Sequence, residues 1–262
     1  MDKTSLGDRM KGYERAELRL LTRRAPLIIR IDGCHFHSFT KDFTRPFDTS
    51  FLACMRATAR DLCETIMGAK FAYTQSDEIS LLLTDDDSIE TQAWFGKNLQ
   101  KIVSVSAAMA TFFFNRNLER LCTCGMLAEN SHDFYFSSIG MNKAYLNGRL
   151  AVFDARAFVL PREEVNNYFL WRQRDCERNS IQSVAHANYP QNELTGLSCN
   201  DLQNKLFTER GINWNDYETV FRRGAAVEKD SDNKWYVNME IPRFNEDPAH
   251  IENLVYHRSE EK

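Results

Sequence analysis

Apolar and polar positions along the chain set out an order of elements. Residues 27–31, Leu-Ile-Ile-Arg-Ile, form a short β-branched run that reads as a buried strand ending at Asp32-Gly33, where the chain can turn. Before it, residues 5–24 carry a weak helical stripe of Leu6, Met10, Tyr13, Leu18 and Leu21, stopped by Pro26. After it, residues 48–67 place Phe51, Met55, Thr58, Leu62 and Ile66 on one helix face, with Gly68 as a C-cap. Residues 70–75 and 79–83 read as two strands joined by a turn at Ser76-Asp77-Glu78. A polar loop at Asp85-Asp86-Asp87 reads as a solvated charge run, and residues 90–115 as a long buried helix. That helix would put Lys97 and Lys101 on one face. Strands are expected at 134–138 and 150–158, helices from Pro161 to about 187 and over 192–209, and a strand at 234–241.

Strand, helix, strand, turn, strand, helix, strand is the ferredoxin-like βαββαβ order of an α/β (α+β) fold. Residues 1–160 are expected to hold this unit with its N-terminal helix, and 161–262 a helical and strand region packed on it.

Composition narrows the picture. The 262 residues are 43% hydrophobic and 27% charged, enough for a sizeable core and unlike a disordered chain. Net charge is −4, so no overall basicity announces nucleic acid. Residues 1–30 nevertheless hold eight basic side chains against four acids, a local patch of +4. The seven cysteines are odd in number and irregular in spacing, which predicts free thiols in a reducing cytosol. Cys122-x-Cys124 lacks the spacing and second pair of a zinc knuckle. Residues 1–30 offer no signal-peptide run, and the longest apolar stretch is too short for a bilayer. A soluble cytoplasmic protein, with no membrane partner, is expected.

The candidate chemistry lies at Asp32 and Asp77. In a ferredoxin-like sheet the first strand neighbours the middle hairpin, so the end of the first strand and the hairpin turn can face one spot. Two carboxylates there suit magnesium, which takes oxygen ligands and leaves room for water and phosphate. Two such ions can serve a nucleotidyl transfer. Glu78 is a third ligand or a support, and Ser76 a donor to phosphate or nucleoside. Cations for a triphosphate are sought among Arg30, Lys41, Arg45, Lys97, Lys101, Arg156 and Arg223. Arg30 shares a strand face with Asp32 and needs an acidic partner or a ligand. In Cys34-His35-Phe36-His37 the histidines read as loop residues near base or phosphate. Phe36 is either a stacking surface for a purine or a core ring.

At these residues the sequence resembles the tRNA-His guanylyltransferase family. The likeness is carried by Arg30-Ile31-Asp32-Gly33, Phe36-His37-x-Phe39, Gln75-Ser76-Asp77-Glu78-x-Ser80, and Phe153-Asp154-Ala155-Arg156. It continues through Tyr168-Phe169-Leu170-Trp171-Arg172-Gln173, Gly211-Ile212-Asn213-Trp214 and Arg222-Arg223-Gly224, and so spans about residues 6–227. It implies a polymerase-type palm that extends RNA at its 5′ end, using magnesium with GTP and ATP as substrates. The implied metal ligands are Asp32, the Gly33 carbonyl and Asp77, and the implied catalytic acids Asp32, Asp77 and Glu78. Asp32, Gly33, Cys34, His35, Phe36, His37, Ser76 and Asp77 would contact the nucleotide. Arg30, Arg45, Lys101, Arg156 and Arg223 would contact the triphosphate, Arg45 and Arg223 standing where eukaryotic members have lysine. Arg9, Lys11, Trp171, Arg172 and Asn179 are the candidates for RNA. A tRNA partner and a homotetramer are also implied. One departure stands out. Eukaryotic members place a histidine after the Trp-Arg-Gln motif, where this chain has Glu177 ahead of Asn179. That resembles the guanylyltransferase-like branch of bacteria and archaea, for which template-directed repair of 5′-truncated tRNA is implied beside G addition to tRNA-His. The rival expectations are a palm-fold nucleotide cyclase acting on a nucleoside triphosphate alone, and an inert tRNA-binding module.

Overall fold

The computed structural model describes residues 5–124, 127–128 and 134–256, with backbone alone at 127–128 and 134–135. Helix α1 (Leu6–Ala16) leads to strand β1 (Leu27–Gly33), a one-turn helix α2 (Phe36–Phe39) and helix α3 (Thr49–Thr65). Strands β2 (Ala69–Gln75) and β3 (Glu78–Leu83) form the hairpin. Helix α4 (Leu99–Cys124), the short strands β4 (Leu127–Ala128) and β5 (Phe134–Tyr135), helix α5 (Ile139–Leu146) and strand β6 (Phe153–Val159) follow. Helices α6 (Arg162–Asn188), α7 (Gln191–Leu194), α8 (Cys199–Arg210) and α9 (Thr219–Arg223) lead to strands β7 (Ala225–Lys229) and β8 (Trp235–Asn238), and the one-turn α10 (Ala249–Glu252) comes last.

The main sheet has the order β6-β1-β3-β2-β7-β8, and every neighbouring pair in it is antiparallel. Its first four strands reproduce the ferredoxin-like arrangement expected from the pattern. The last two come from the C-terminal part of the chain and extend the same sheet.

Alternation along the strands divides the core in two. Leu27, Ile29 and Ile31 of β1 join Ile79 and Leu81 of β3 in a cluster with Phe51 and Leu62 of α3 and Phe114 and Leu118 of α4. Ile28, Leu82, Phe71 and Tyr73 face the other way, onto Val165, Tyr168 and Phe169 of α6. The register then sets three rows across β6, β1, β3 and β2 on the α6 face. Phe158, Ile28, Leu82 and Phe71 make an apolar row; Arg156, Arg30, Ser80 and Tyr73 the next; Asp154, Asp32, Glu78 and Gln75 the outermost. Successive same-face residues along each strand thus pass from oil to charge, because residues i and i+2 share a face.

Several expected elements are corrected. The helix over 5–24 ends at Ala16 and buries none of its residues. The chain beyond it pairs instead with the start of α4: Leu21 N–H donates to the Lys97 carbonyl, and Leu99 N–H to that of Arg19. The helix expected at 90–115 begins only at Leu99, because Phe95, Gly96 and Lys97 all have left-handed backbone, and it continues to Cys124 as Leu118 and Leu121 stay buried. Of the strand expected at 134–138 only Phe134–Tyr135 is extended; Ser138 caps α5 by accepting the Met141 N–H. The single helix expected at 192–209 is two, since Ser198 and Asp201 form a capping box that starts α8 afresh. Only Asp87 of the Asp85-Asp86-Asp87 run is solvated as expected. Asp85 is 2% exposed and pairs with Lys97 at 3.0 Å and Arg23 at 2.8 Å, and Asp86 pairs with Arg162. Lys97 and Lys101 do not share a helix face either, because Lys97 precedes α4 and is buried.

Candidate active site

Strand β1 delivers Asp32 to one end of the sheet. The β2–β3 turn delivers Ser76 and Asp77 to the same end. Ser76 takes a left-handed backbone with φ 47°, and its Oγ donates to Asp77 Oδ1 at 3.0 Å. Burial holds the Asp77 carboxyl above the usual carboxylate range, and Asp32 adds repulsion, while Ser76 and the backbone N–H of Asp77 itself work the other way. No cation lies within ion-pair distance of Asp77 among the described residues. Asp32 has Arg30 at 3.8 Å.

Gly33 is where a tight approach requires glycine. A Cβ there would lie 2.3 Å from the Phe36 ring. The same ring is packed against Phe39, Phe51, Phe114 and Phe153, with centroids 5.0–6.0 Å away, and is 5% exposed. Of the two expectations for Phe36 the packing favours the core ring, which fixes the turn after Asp32 and leaves little face for a base. His35 and His37 are exposed on either side of it, and the Cys34 thiol lies 3.5 Å from Asp154.

Of the two expectations for Glu78, ligand or support, its contacts favour the support. Both of its oxygens accept from Arg172 of α6, at 2.7 and 2.8 Å, and Arg30 Nε is 3.3 Å away. Arg172 is therefore corrected. It is 5% exposed and committed to Glu78 and Asp175, so it is no backbone contact for RNA. Trp171 beside it stays 53% exposed, with the Arg172 guanidinium 4.3 Å and the Arg30 guanidinium 5.9 Å from its ring centre.

A cavity of about 290 Å³ opens beside Asp77. His37, Arg45, Ser76, Asp77 and Asn179 supply its polar rim, and Phe43, Phe47, Leu52 and Met55 part of its apolar wall. Arg45 is exposed and makes no ion pair among the described residues. Arg223 leaves the wall just before Gly224. Burial, with Arg222 and Arg243 close by, lowers its basicity, and its Nε has no partner. Arg156 sits opposite Arg30 across the β1–β6 pair, half exposed, 3.9 Å from Asp154. Arg9, Lys11 and Lys101 are exposed, and among the described residues none of them bonds to this group or lines the cavity.

Sequence reasoning quoted Asp154 and Arg222 within its motifs without giving them a role, and passed over Arg243. Asp154 was readable in principle, since Phe153-Asp154-Ala155-Arg156 alternates and places it on the face of Arg156. Arg243 was not, because it comes near Arg223 only through the folding of the C-terminal part of the chain.

Residues 7–161, more than half of the chain, match the family model described as tRNAHis guanylyltransferase. The chain belongs to the tRNAHis guanylyltransferase family. It is thus a nucleotidyltransferase. Among solved structures it is similar to a bacterial tRNA(His) guanylyltransferase-like protein in complex with ATP, at 45% identity and TM-score 0.85 over 97% of this chain and 100% of that one. A GTP complex of such a bacterial protein matches at 40% identity and TM-score 0.79, with the same coverage. The tRNA(His) guanylyltransferase of Debaryomyces hansenii is 29% identical over 221 residues, covering 79% of this chain and 74% of its own length. Helices long and apolar enough to cross a membrane are absent from the described residues, and no disulfide joins any cysteines among them.

The oxygen donors at this end of the sheet fit a magnesium ion. Asp32, Asp77 and the Gly33 carbonyl are hard ligands. A pair of carboxylates that repel each other, one without a counter-cation, is a setting that a divalent cation relieves. Among the described residues no three His, Cys, Asp or Glu side chains form a cage. Magnesium does not need one, as it keeps water and borrows phosphate oxygens.

Proposed function

We propose that this chain adds nucleotides to the 5′ end of tRNA in the 3′–5′ direction, with Asp32 and Asp77 holding two or more magnesium ions. The observation that carries this reading is the meeting of Asp32 and Asp77 at one end of the sheet, beside a cavity rimmed by Ser76 and Arg45. The similarity to bacterial proteins solved with ATP and with GTP supports both nucleotides as substrates. Bound magnesium supplies charge neutralisation at the reacting phosphate and a more reactive attacking oxygen.

The chain's own residues do the rest. Arg30, Arg45, Arg156, Arg223 and Lys101 neutralise the triphosphate, and the unpartnered Nε of Arg223 suits that role. Ser76 and His37 orient the nucleotide at the cavity rim. A 5′-monophosphate RNA first takes a nucleotidyl group from ATP or GTP, releasing pyrophosphate. The 3′-hydroxyl of the incoming GTP then attacks that phosphate and displaces the nucleotide. The new 5′-triphosphate finally loses pyrophosphate. Exposed Arg9, Lys11, Trp171 and Asn179 are the proposed RNA contacts. Glu177 in place of the eukaryotic histidine supports template-directed repair of 5′-truncated tRNA beside addition to tRNA-His. We place the protein in the cytoplasm, which its free thiols suit, and assign it a homotetramer, which the exposed Phe112, Ile139, Leu146 and Leu150 support.

The test is a 5′-extension assay on tRNA-His lacking its first nucleotide, with magnesium, ATP and labelled GTP. Growth that follows the opposing template base is expected. An Asp32→Ala/Asp77→Ala double variant should lose at least about two to three orders of magnitude in rate while melting as a folded protein. A double variant that still adds nucleotides sinks the assignment.

A further inference from the structure

The cation nearest the aspartates stands between two acids. Arg30 has Nη2 3.8 Å from Asp32 and Nε 3.3 Å from Glu78, yet its buried Nε makes no hydrogen bond. Its side chain is 19% exposed. It is held there by charge and by the Trp171 ring, not by a locked hydrogen-bond geometry.

Glu78 is committed elsewhere. Arg172 reaches it from α6, and its Nε and Nη2 take one carboxylate oxygen each, at 2.7 and 2.8 Å. Both side chains are nearly buried, at 6% and 8% exposure. Arg172 is braced in turn. Its Nη2 also donates to Asp175 at 2.7 Å, and its carbonyl accepts from Gln75 Nε2 at 3.4 Å. Ser80 Oγ, 3.4 Å from Glu78, is itself in a 2.7 Å hydrogen bond with Tyr168.

A buried carboxylate must find a cation, and a bidentate guanidinium is its strongest partner. With Arg172 in place that demand is met from the α6 side. Without it, the next cation within reach of Glu78 is Arg30. We propose that Arg172 is a positioning residue: by hydrogen-bonding both oxygens of Glu78 it keeps Arg30 from closing a hydrogen-bonded pair with that carboxylate, so that Arg30 can turn its guanidinium onto a phosphate of the bound nucleotide. Arg172 touches neither nucleotide nor metal in this scheme and acts through Glu78 on Arg30. The inference rests on the proposed role of Arg30 as a triphosphate contact.

Affinity for ATP in the presence of magnesium, measured by equilibrium dialysis on the full chain, is the readout. Arg172→Met should weaken ATP binding about tenfold, the loss of one charge-assisted contact, as should Arg30→Met. Adding Glu78→Gln to Arg172→Met removes the acid that would capture Arg30 and should restore affinity to within about threefold of the native value. A merely structural defect would be rescued as well, since Glu78→Gln neutralises the stranded carboxylate, so binding is read well below each variant's melting temperature: a tenfold loss in folded Arg172→Met supports the positioning role, and native affinity there overturns it. A double variant as weak as Arg30→Met overturns the inference, also where Arg172→Met alone fails to fold. Because no RNA is present, failure of the tRNA assay with this rescue intact would overturn the proposed substrate and not the role of Arg172.

Discussion

Lys97 shows how far a single residue's role depends on what surrounds it. Spacing alone pairs it with Lys101 on a solvated helix face. It lies instead in a left-handed backbone conformation ahead of the helix, with Nζ donating to the carbonyls of Thr22 and Ala25 at 2.8 and 2.6 Å and pairing with Asp85 at 3.0 Å. Burial pulls its ammonium below the ordinary lysine range, even with Asp85 opposing. The side chains of Lys97 and Asp85 are 2% and 3% exposed, so solvent screens the pair little. Lys97→Met would strand two carbonyls and leave Asp85 with Arg23 as its remaining cation, beside the backbone N–H of Arg24. A loss of about 3–5 kcal/mol in unfolding free energy is expected, read from urea melts. A loss under about 1 kcal/mol would show that Arg23 suffices. Asp32 and Asp77 are the opposite case. Their placement at one end of the sheet was legible as residues, because an aspartate ending a buried strand before glycine, and another in a hairpin turn, are positions where topology brings oxygen donors together.

At the scale of elements, strand order was legible and element ends were not. β7 was missed because Ala225-Ala226-Val227 is too short and too small to alternate, and pairing with β2 makes it a strand. The last element, α10, is clasped to β7 by His250, whose Nε2 lies 2.9 Å from Glu228 Oε1. Glu228 also accepts from Tyr236 at 3.2 Å and Asn238 at 3.4 Å. The bond to Glu228 raises the His250 pKa above its ordinary value, outweighing burial. A raised folded-state pKa gives stability that is complete below the unfolded value, about 6.5, and is lost as pH rises through the higher folded value. The difference in melting temperature between the native protein and His250→Gln should therefore be largest near about pH 6 and shrink by about pH 8. A gap that does not change with pH would mean that His250 acts by packing on Phe244 alone.

At the scale of the whole molecule, apolar side chains remain uncovered. Phe112 of α4, Ile139 and Leu146 of α5, and Leu150 before β6 are 61–79% exposed. Large exposed apolar groups on neighbouring elements mark surfaces that a partner covers. Native mass spectrometry should therefore show four chains together, and Leu146→Glu should shift the distribution toward smaller species. A monomer at micromolar concentration would remove the homotetramer from the reading.

What the sequence by itself determined is the sheet and which side chains share its faces. Period-two alternation in 27–33, 79–83 and 153–159 already sorts Asp32, Arg30 and Arg156 onto one face, because side-chain direction along a strand is a local property. The order of elements then brings the β2–β3 turn beside the end of β1. Only the tertiary structure decided which charges are spoken for. Arg172 and Glu78 are 94 positions apart, and Lys97 and Thr22 are 75 apart. No local pattern records such partnerships, since a buried charge chooses its partner by distance in space and by exclusion of water, and both are set when the helices close over the sheet.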